Sequence, residues 1–596
     1  MSNSIAPGSS ADINVKVTAL TTNPNVPTQY KTIILKKNLV NGVNTLTQEM
    51  MANQNIKYVI KYDYVLGENI TVPDNCILEF DGGSILGTHT LTGNNTDIKG
   101  NINNIFDTIT IDGTWIVSEI STLMFKDLSA TNAIQNLFAL QNENKYNKIR
   151  VEEGVYKVRA PYASWSGIIK LKNNTDLILN GTIQLETNNL DIYQILYVGS
   201  NVNIIGSGKI IGDRDTNTAT GEHGHGIAIL GKNVSVKNIE ISKCFGDGIF
   251  IFNTPKNVEI DNCIIHDCRR QGISIIQASN VKISNTEIYN INGTAPGAAI
   301  DLEPNEKTQV IQNIIIENCY FHDCLKGIRV YDILNNLSIV NNRITNVSPI
   351  SITRNIQPTT LRSKNIKISE NTFIGGTGLT LDYIENAIIS NNNIILDTES
   401  SDEKTIGGIY IANTNTLSIE NNVIDLKNNV LSFNLNSTLV ITKNTIKSNG
   451  IKNWVNDDGS ETQNVNILLD WQKDNKAIIH NNIITGIISL HGDCDFVNNI
   501  VSLPENFTIN YPVFKVVRPD PSYTWLWYTV YVEKNNFNFD TVIASTADCP
   551  MYMPHCKNGS INKNIIKTNT SVWNSYIGTI ESSMEKVRNV FNGTLE

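Results

Sequence analysis

A unit of eight residues that recurs along the middle of the chain limits what the chain can fold into more than any other feature. It reads VSVKNIEI (234–241), VEIDNCII (258–265), VKISNTEI (281–288), IIIENCYF (314–321), LSIVNNRI (337–344), IKISENTF (366–373), AIISNNNI (387–394), LSIENNVI (417–424), LVITKNTI (439–446) and AIIHNNII (477–484). Its third residue returns at spacings of 21 to 38 residues, with no helical periodicity between. Short strands rich in Val and Ile, punctuated by Asn and Gly at such intervals, predict a parallel β-solenoid, in which each repeat buries its apolar side against its neighbours. The recurrent Asn238, Asn262, Asn285, Asn318, Asn341, Asn391, Asn421 and Asn481 fall at one turn, where Asn tolerates left-handed backbone and bonds along the stack. Glu370 and Lys443 interrupt that column.

A second strand lies between successive units: GIAIL (226–230), GIFIF (248–252), GISII (272–276), AIDLE (299–303), GIRVY (327–331), PISIT (349–353), GLTLD (378–382) and GIYIA (408–412). Its second and fourth residues are always Ile, Leu or Val, so they face the core, and the third and fifth face outward to solvent. Two outward columns follow, with neighbours about 4.8 Å apart. One runs Ala228, Phe250, Ser274, Asp301, Arg329, Ser351, Thr380 and Tyr410, the other Leu230, Phe252, Ile276, Glu303, Tyr331, Thr353, Asp382 and Ala412.

Composition narrows the function. A formal charge of −10 and the lack of any Lys/Arg run exclude a nucleic-acid phosphate binder. Charged residues are only 17%, and Asn, Thr and Ser supply a neutral, hydrogen-bonding surface suited to sugars. The opening MSNSIAPGSSADINVKV lacks the basic and apolar regions of a secretory signal, and no segment is long and apolar enough to enter a membrane. Nine scattered cysteines, an odd number, are expected to be reduced and mostly buried.

The outward columns gather Asp247, Phe250, Phe252, Asp301, Glu303, Arg329 and Tyr331 within a few rungs. Asp301 and Glu303 leave one strand on one side, so their carboxyls are expected roughly 6–7 Å apart, near the separation of inverting glycosidases. One acid would protonate a leaving oxygen while the other activates water. A salt bridge of Asp301 to Arg329, one rung on, is the alternative. Arg269 and Arg270, at the entrance of the GISII strand, suit a bidentate carboxylate partner or turn carbonyls equally well. In GEHGHGI (221–227), His223 and His225 are expected on a Gly-rich surface loop, where His225 would face substrate; a metal or acid–base role is the alternative. NCIIHDC (262–268) and NCYFHDC (318–324) look like a zinc motif, yet their spacing follows from the repeat itself, so buried cysteines beside turn histidines are expected. Phe250, Phe252, Tyr331 and Tyr410 would stack on sugar rings or pack against another subunit.

The Asn column and the GIxI strands resemble the pectate-lyase-like right-handed parallel β-helices over residues 200–500. The segment LSATNAIQNLFALQNENKYNKIRVEEGVYKV (128–158) resembles the entry of such helices, with a short amphipathic helix from Asn132 and a turn at Gly154 and Tyr156. The resemblance implies an all-β chain: a right-handed, single-stranded parallel β-helix of the pectin-lyase type over 116–500. Lyases, hydrolases, epimerases and adhesins share that fold. FGDGIFIF (245–252) resembles the Asp-bearing strand of polygalacturonase-type hydrolases at Asp247, and GIRVYD (327–332) their arginine strand at Arg329. Gly246, Gln271 and Tyr331 depart from that family, which has Asp, His and Lys there. A lyase would instead use a base such as Tyr331, often with Ca²⁺ on Asp247, Asp301 and Glu303; hydrolysis requires no cofactor.

The stretch NTLTQEMMANQNIKYVIKYDYVLGENITVPDNCILEFDGGSILG (44–87) resembles segments of Bacteroides proteins and of tail proteins of their bacteriophages, the crAss-like phages included. The resemblance implies a tail spike, made without a signal peptide and located on the virion tail, whose homotrimeric β-helix binds or cuts host surface polysaccharide. Residues 1–50 would then form an attachment arm to other tail proteins, 51–115 a small β-rich module, and 501–596 the last rungs, a cap and an oligomer contact, with a helix over 582–591. A non-enzymatic receptor-binding or structural tail fibre, and a bacterial surface glycan-degrading enzyme, are the alternatives.

Overall fold

The computed structural model describes residues 30–306, 308–354, 362–397, 408–427 and 429–448 continuously, and further stretches between 452 and 595. From Ile120 onward the chain winds as a solenoid with three short strands per coil. The site lies on the coils whose first strands are Ile192–Val198, His223–Ile229, Asp247–Ile251, Gln271–Ile275, Ala298–Leu302 and Lys326–Tyr331. Each of these pairs in parallel with the next. The second strands, such as Lys256–Asp261 and Ala278–Ser284, and the third, such as Ile264–His266 and Glu287–Tyr289, stack in the same way.

Register explains the apolar pattern. Ile227, Ile249, Ile273, Ile300, Ile328 and Ile350 lie one above another and are wholly buried. Each such side chain contributes about 1.5–3 kcal/mol relative to exposure. The glycine that opens most of these strands is required by the approach of the next coil. A Cβ at Gly272 would lie 2.6 Å from Ala299 O and 2.5 Å from Ile288 Cγ2.

The turn column is left-handed as expected, and Glu370 and Lys443 do not break it. All ten positions, those two included, have φ between 51° and 62°. In the coils from Asn341 onward an Asn follows the turn position, and these residues form a second ladder that the eight-residue unit hides. Asn342, Asn371, Asn392, Asn422, Asn444, Asn482, Asn499, Asn535, Asn564 and Asn589 are buried. In Asn422, for example, the amide nitrogen donates to Ile389 O at 2.9 Å and Asn444 Oδ1 at 3.0 Å, while Oδ1 accepts from the backbone N–H of Asn392 at 2.9 Å.

Residues 31–116 form two smaller sheets, parallel apart from the antiparallel pair Leu39–Val40 and Val43–Leu46. Their core, with Leu46, Tyr58, Phe80, Phe106 and Trp115, continues into the solenoid through Ile120, Met124 and Leu137. The helix expected from Asn132 is Gln135–Ala139, and Leu137 and Phe138 on it are buried. In place of the helix expected over 582–591, the described Glu585–Val587 and Val590–Phe591 are strands that continue the stack, their backbones pairing in register with the preceding coil. Residues 1–29 of the expected arm lie outside the described residues. Cys76, Cys244, Cys263, Cys268, Cys319 and Cys324 are free and buried, and Cys494 is buried. No helix among the described residues is long and apolar enough to cross a membrane.

Candidate active site

The outward positions of the first strands do not lie open to solvent, as expected for bare columns. Asp247 and Asp301 are fully buried, and Glu303 keeps 18% of its side-chain surface exposed. Register sets Phe250, Ser274, Asp301 and Arg329 side by side on successive coils, and Asp247 beside Gln271. Two arginines then close over the acids. Arg329 Nη1 lies 2.8 Å from Asp301 Oδ2 and 3.3 Å from Glu303 Oε1. Sharing that nitrogen keeps the two oxygens no more than about 6 Å apart, closer than the roughly 6.5–9.5 Å typical of inverting glycosidases. Arg270 lies 3.5 Å from Asp247 Oδ2, 3.3 Å from Glu303 Oε2 and 3.2 Å from Glu222 Oε2. Ser274 donates to Asp247 Oδ2 at 2.6 Å, and Gln271 donates to Asp301 Oδ2. Burial is what overturned the solvent-facing expectation: a charged pair accepts it only when each carboxylate finds donors, and these acids do.

Electrostatics separate the acids. Burial drives the Asp301 carboxyl up to about 7, against the pull of Arg329, with the neighbouring Glu303 charge adding to the rise. Burial also raises Asp247 to about 6, opposed by Arg270 and Ser274. One oxygen of each, Oδ1, is buried with no hydrogen-bond partner. Two carboxyls that hold a proton near neutrality stand beside a more exposed third, an arrangement able to separate an acid from a base on one face.

His225 corrects the loop expectation. It lies on the strand His223–Ile229, fully buried, and its Nδ1 accepts the Asp247 backbone N–H at 3.1 Å. Burial holds its pKa well below the ordinary value, so it is neutral with the proton on Nε2. It stacks on Phe250 at 4.4 Å and Phe250 on Phe252 at 4.6 Å. Its face is thus spent on packing, not presented to a substrate. Arg269 takes the second of its two expected roles, bonding turn carbonyls. It donates to Phe245 O at 2.7 Å and to Gly221 O, and lies 3.7 Å over the Phe245 ring. Its strand-entrance position points it back into the turn, so only Arg270 reaches the acids. Arg329 also covers the Tyr331 ring, at 4.1 Å.

Sequence reasoning missed Trp165, which precedes the recognisable repeat and carries no periodic signal. It is 42% exposed and brings its ring within 4.8 Å of His223, 6.2 Å of Phe250 and 6.3 Å of Phe252. An aromatic wall therefore stands on the coils just before the acids. Replacing Arg270 by Met strands Asp247, Glu303 and Glu222 without their shared cation. The expected cost is about 3 kcal/mol, read from the shift of a urea denaturation midpoint.

Among the described residues no group of three or more His, Cys, Asp or Glu side chains is arranged to hold a metal ion. Asp301 and Glu303 share Arg329, and Asp247 and Glu303 share Arg270. Carboxylates so engaged do not fit a Ca²⁺ site, which needs them free as oxygen ligands.

Residues 177–360 match the family model described as right handed beta helix region. Among curated proteins, the SPbeta prophage-derived uncharacterized protein YorA of Bacillus subtilis (strain 168) is 26% identical over 256 residues, 37% of this chain and 44% of that protein. The uncharacterized protein YclG of the same organism is 35% identical over 133 residues, 19% of this chain and 23% of that protein. The chain spans less than half the length of either relative. Among solved structures, the A-module of mannuronan C-5 epimerase AlgE6 from Azotobacter vinelandii aligns over 78% of this chain and 96% of that one, at 11% identity and a TM-score of 0.35. The tailspike protein of E. coli bacteriophage HK620, in complex with pentasaccharide, aligns over 76% and 72%, at 11% identity and a TM-score of 0.32. The consistently parallel coils and the match over residues 177–360 together give the chain the fold of a right-handed parallel β-helix.

Proposed function

We infer that this protein binds a polysaccharide along the face built by the first strands and hydrolyses it, with Asp301 as general acid and Glu303 as the partner carboxylate. The observation that carries the reading is the pairing of a buried acid whose pKa is raised to about 7 with a partly exposed Glu303 on the same strand, next to an aromatic wall. Asp247 supports the pair through Arg270, which it shares with Glu303. The partly exposed Arg270, Glu303 and Arg329 stand between Asp301 and solvent, so a bound chain must displace them to reach the acid. Trp165, Phe250 and Phe252 supply the ring faces on which sugars stack.

The site serves, in this reading, a phage tail spike: a homotrimer on the virion tail, held by its N-terminal residues to other tail proteins, that recognises host surface polysaccharide. The sequence resemblance of residues 44–87 supports this, as does the prophage origin of YorA. The burial and ion pairing of Asp247 and Asp301 favour a second reading, binding without cleavage.

Incubation with purified bacterial surface polysaccharides, followed by chain length and by absorbance of unsaturated uronates, separates the readings. Shortening without that absorbance supports hydrolysis, shortening with it means β-elimination, and binding without shortening sinks the enzymatic reading. Trp165→Ala is expected to weaken polysaccharide binding about fivefold, checked by titration calorimetry, because one stacking face is worth about 1 kcal/mol.

A further inference from the structure

One polar side chain on the coil before His225 is buried with nothing to bond. Gln194 lies on Ile192–Val198 in register with His225, is fully buried, and neither its amide nitrogen nor its amide oxygen has a hydrogen-bond partner. An uncompensated buried amide costs about 1–3 kcal/mol, so its retention calls for an explanation.

The chain above Gln194 supplies one. The segment before the strand Ile169–Leu171 is pinned at two points: Ser164 N–H donates to Ile192 O at 3.0 Å and Ile168 N–H to Gln194 O at 2.8 Å. Between these anchors residues 165–167 bulge away from the sheet. Gly167 makes the bend at φ +78°, where a Cβ would lie 2.4 Å from Tyr197 Cβ. Under the bulge is a cavity of about 40 Å³ lined by Tyr162, Ser164, Ser166, Tyr193 and Gln194, among others. About 10–15 Å³ of such space holds one water, so the cavity has room for a small polar group of a few heavy atoms. Trp165, between the two lining serines, lies 6.4 Å from the ring of His225, the residue in register with Gln194, and 6.2 Å from that of Phe250.

We propose that Gln194 forms the floor of a specificity pocket for the exocyclic hydroxymethyl group of a sugar whose ring rests on Trp165. The amide offers a donor and an acceptor together, which matches a hydroxyl and leaves a methyl group unable to satisfy either. A site built to bond a hydroxyl discriminates against the analogue without it, because its own buried polar atoms are then left unpaired. The pocket selects a sugar bound four coils before Asp301 and Glu303, about 19 Å along the stack, and so rests on the saccharide-binding reading of this face but not on cleavage.

The test uses saturation-transfer NMR on the full chain with three pairs of sugars: D-galactose and D-fucose, D-glucose and D-quinovose, D-mannose and D-rhamnose. Each pair differs only in the C6 hydroxyl. At least one hexose is expected to show strong transfer at its C6 protons and to bind about tenfold better than its deoxy partner. Gln194→Leu is expected to erase that preference while ring-proton transfer, which reports Trp165, persists. The same variant is expected to melt no lower than the parent, since it removes an unpartnered amide. A lower melting temperature would assign Gln194 a structural role and overturn the proposal, as would equal binding of both members of every pair. Failure of Asp301→Asn to affect polymer cutting, with the C6 preference intact, would instead remove only the hydrolytic assignment.

Discussion

Replacing Asp301 by Asn is expected to lower the rate of polysaccharide cleavage about 10³-fold, in line with the 10²–10⁴ that a positioned general acid contributes. The change keeps the side chain's size and an oxygen for Gln271 and Arg329, so loss of rate reports loss of the proton rather than of the pocket. The parent's pH profile carries a second signature. An acid that must be protonated, and whose pKa is about 7, gives activity that falls as pH rises through that value. The variant has no such limb, and Glu303→Gln, which removes the other carboxylate, abolishes cleavage and lowers the Asp301 pKa, because the Glu303 charge helps to raise it.

Stability should follow the same groups in the matching direction. Asp301 at about 7 and Asp247 at about 6 both lie above the ordinary 3.8 that they regain on unfolding. Between about pH 4 and 7 the folded state therefore holds more protons than the unfolded one, and stability falls as pH rises across that window. Below pH 4 both states are protonated at these sites and the contribution levels off. Thermal melts from pH 4 to 8 check this, and in Asp301→Asn the fall is expected to be shallower, with the variant at least as stable as the parent at pH 8.

How much of this was legible in the sequence depended on whether a residue obeyed the repeat. Ile249, Ile273, Ile300 and Ile328 did, and the alternation that places them in the core also placed Asp301, Glu303, Phe250 and Arg329 on one face in the right order. What alternation cannot supply is depth. An outward position is solvent-exposed only if nothing crosses it, and here Arg270 and Arg329 fold over the carboxylates while the segment carrying Trp165 reaches across from an earlier coil. The neighbouring Arg269 shows the same limit, since two adjacent arginines at a turn diverge and the sequence does not say which one turns toward the acids. Trp165 and Gln194 precede the regular units, Trp165 in a bulge that turns at Gly167 and Gln194 on the strand Ile192–Val198 beneath it. The second asparagine ladder was written in the sequence, as the Asn that follows Asn341, Glu370, Asn391, Asn421 and Lys443, but the preceding turn position drew attention from it.

That ladder supports the second large effect. Asn422→Leu is expected to destabilise the chain by about 5 kcal/mol, near the upper end for a single substitution. Asn422 is 1% exposed and serves three coils at once: it donates to Ile389 O, Glu420 O and Asn444 Oδ1, and accepts from the backbone and side-chain nitrogens of Asn392. Leucine fills the space and satisfies none of them. The Asn392 N–H groups and the Ile389 carbonyl are left buried and unpaired, at about 1–3 kcal/mol each. Changing the preceding turn residue, Asn421→Lys, is expected to cost far less. Lys443 already occupies the equivalent left-handed position at φ 57°, and the side chain there lies at the surface. Denaturant midpoints of the two variants, one residue apart, distinguish a ladder that holds the coils together from a turn that only tolerates them. Because each rung contacts only its neighbours, the Asn422→Leu loss should also appear locally, as faster hydrogen exchange over the coils of Asn392, Asn422 and Asn444 than over those carrying Asp247 and Asp301.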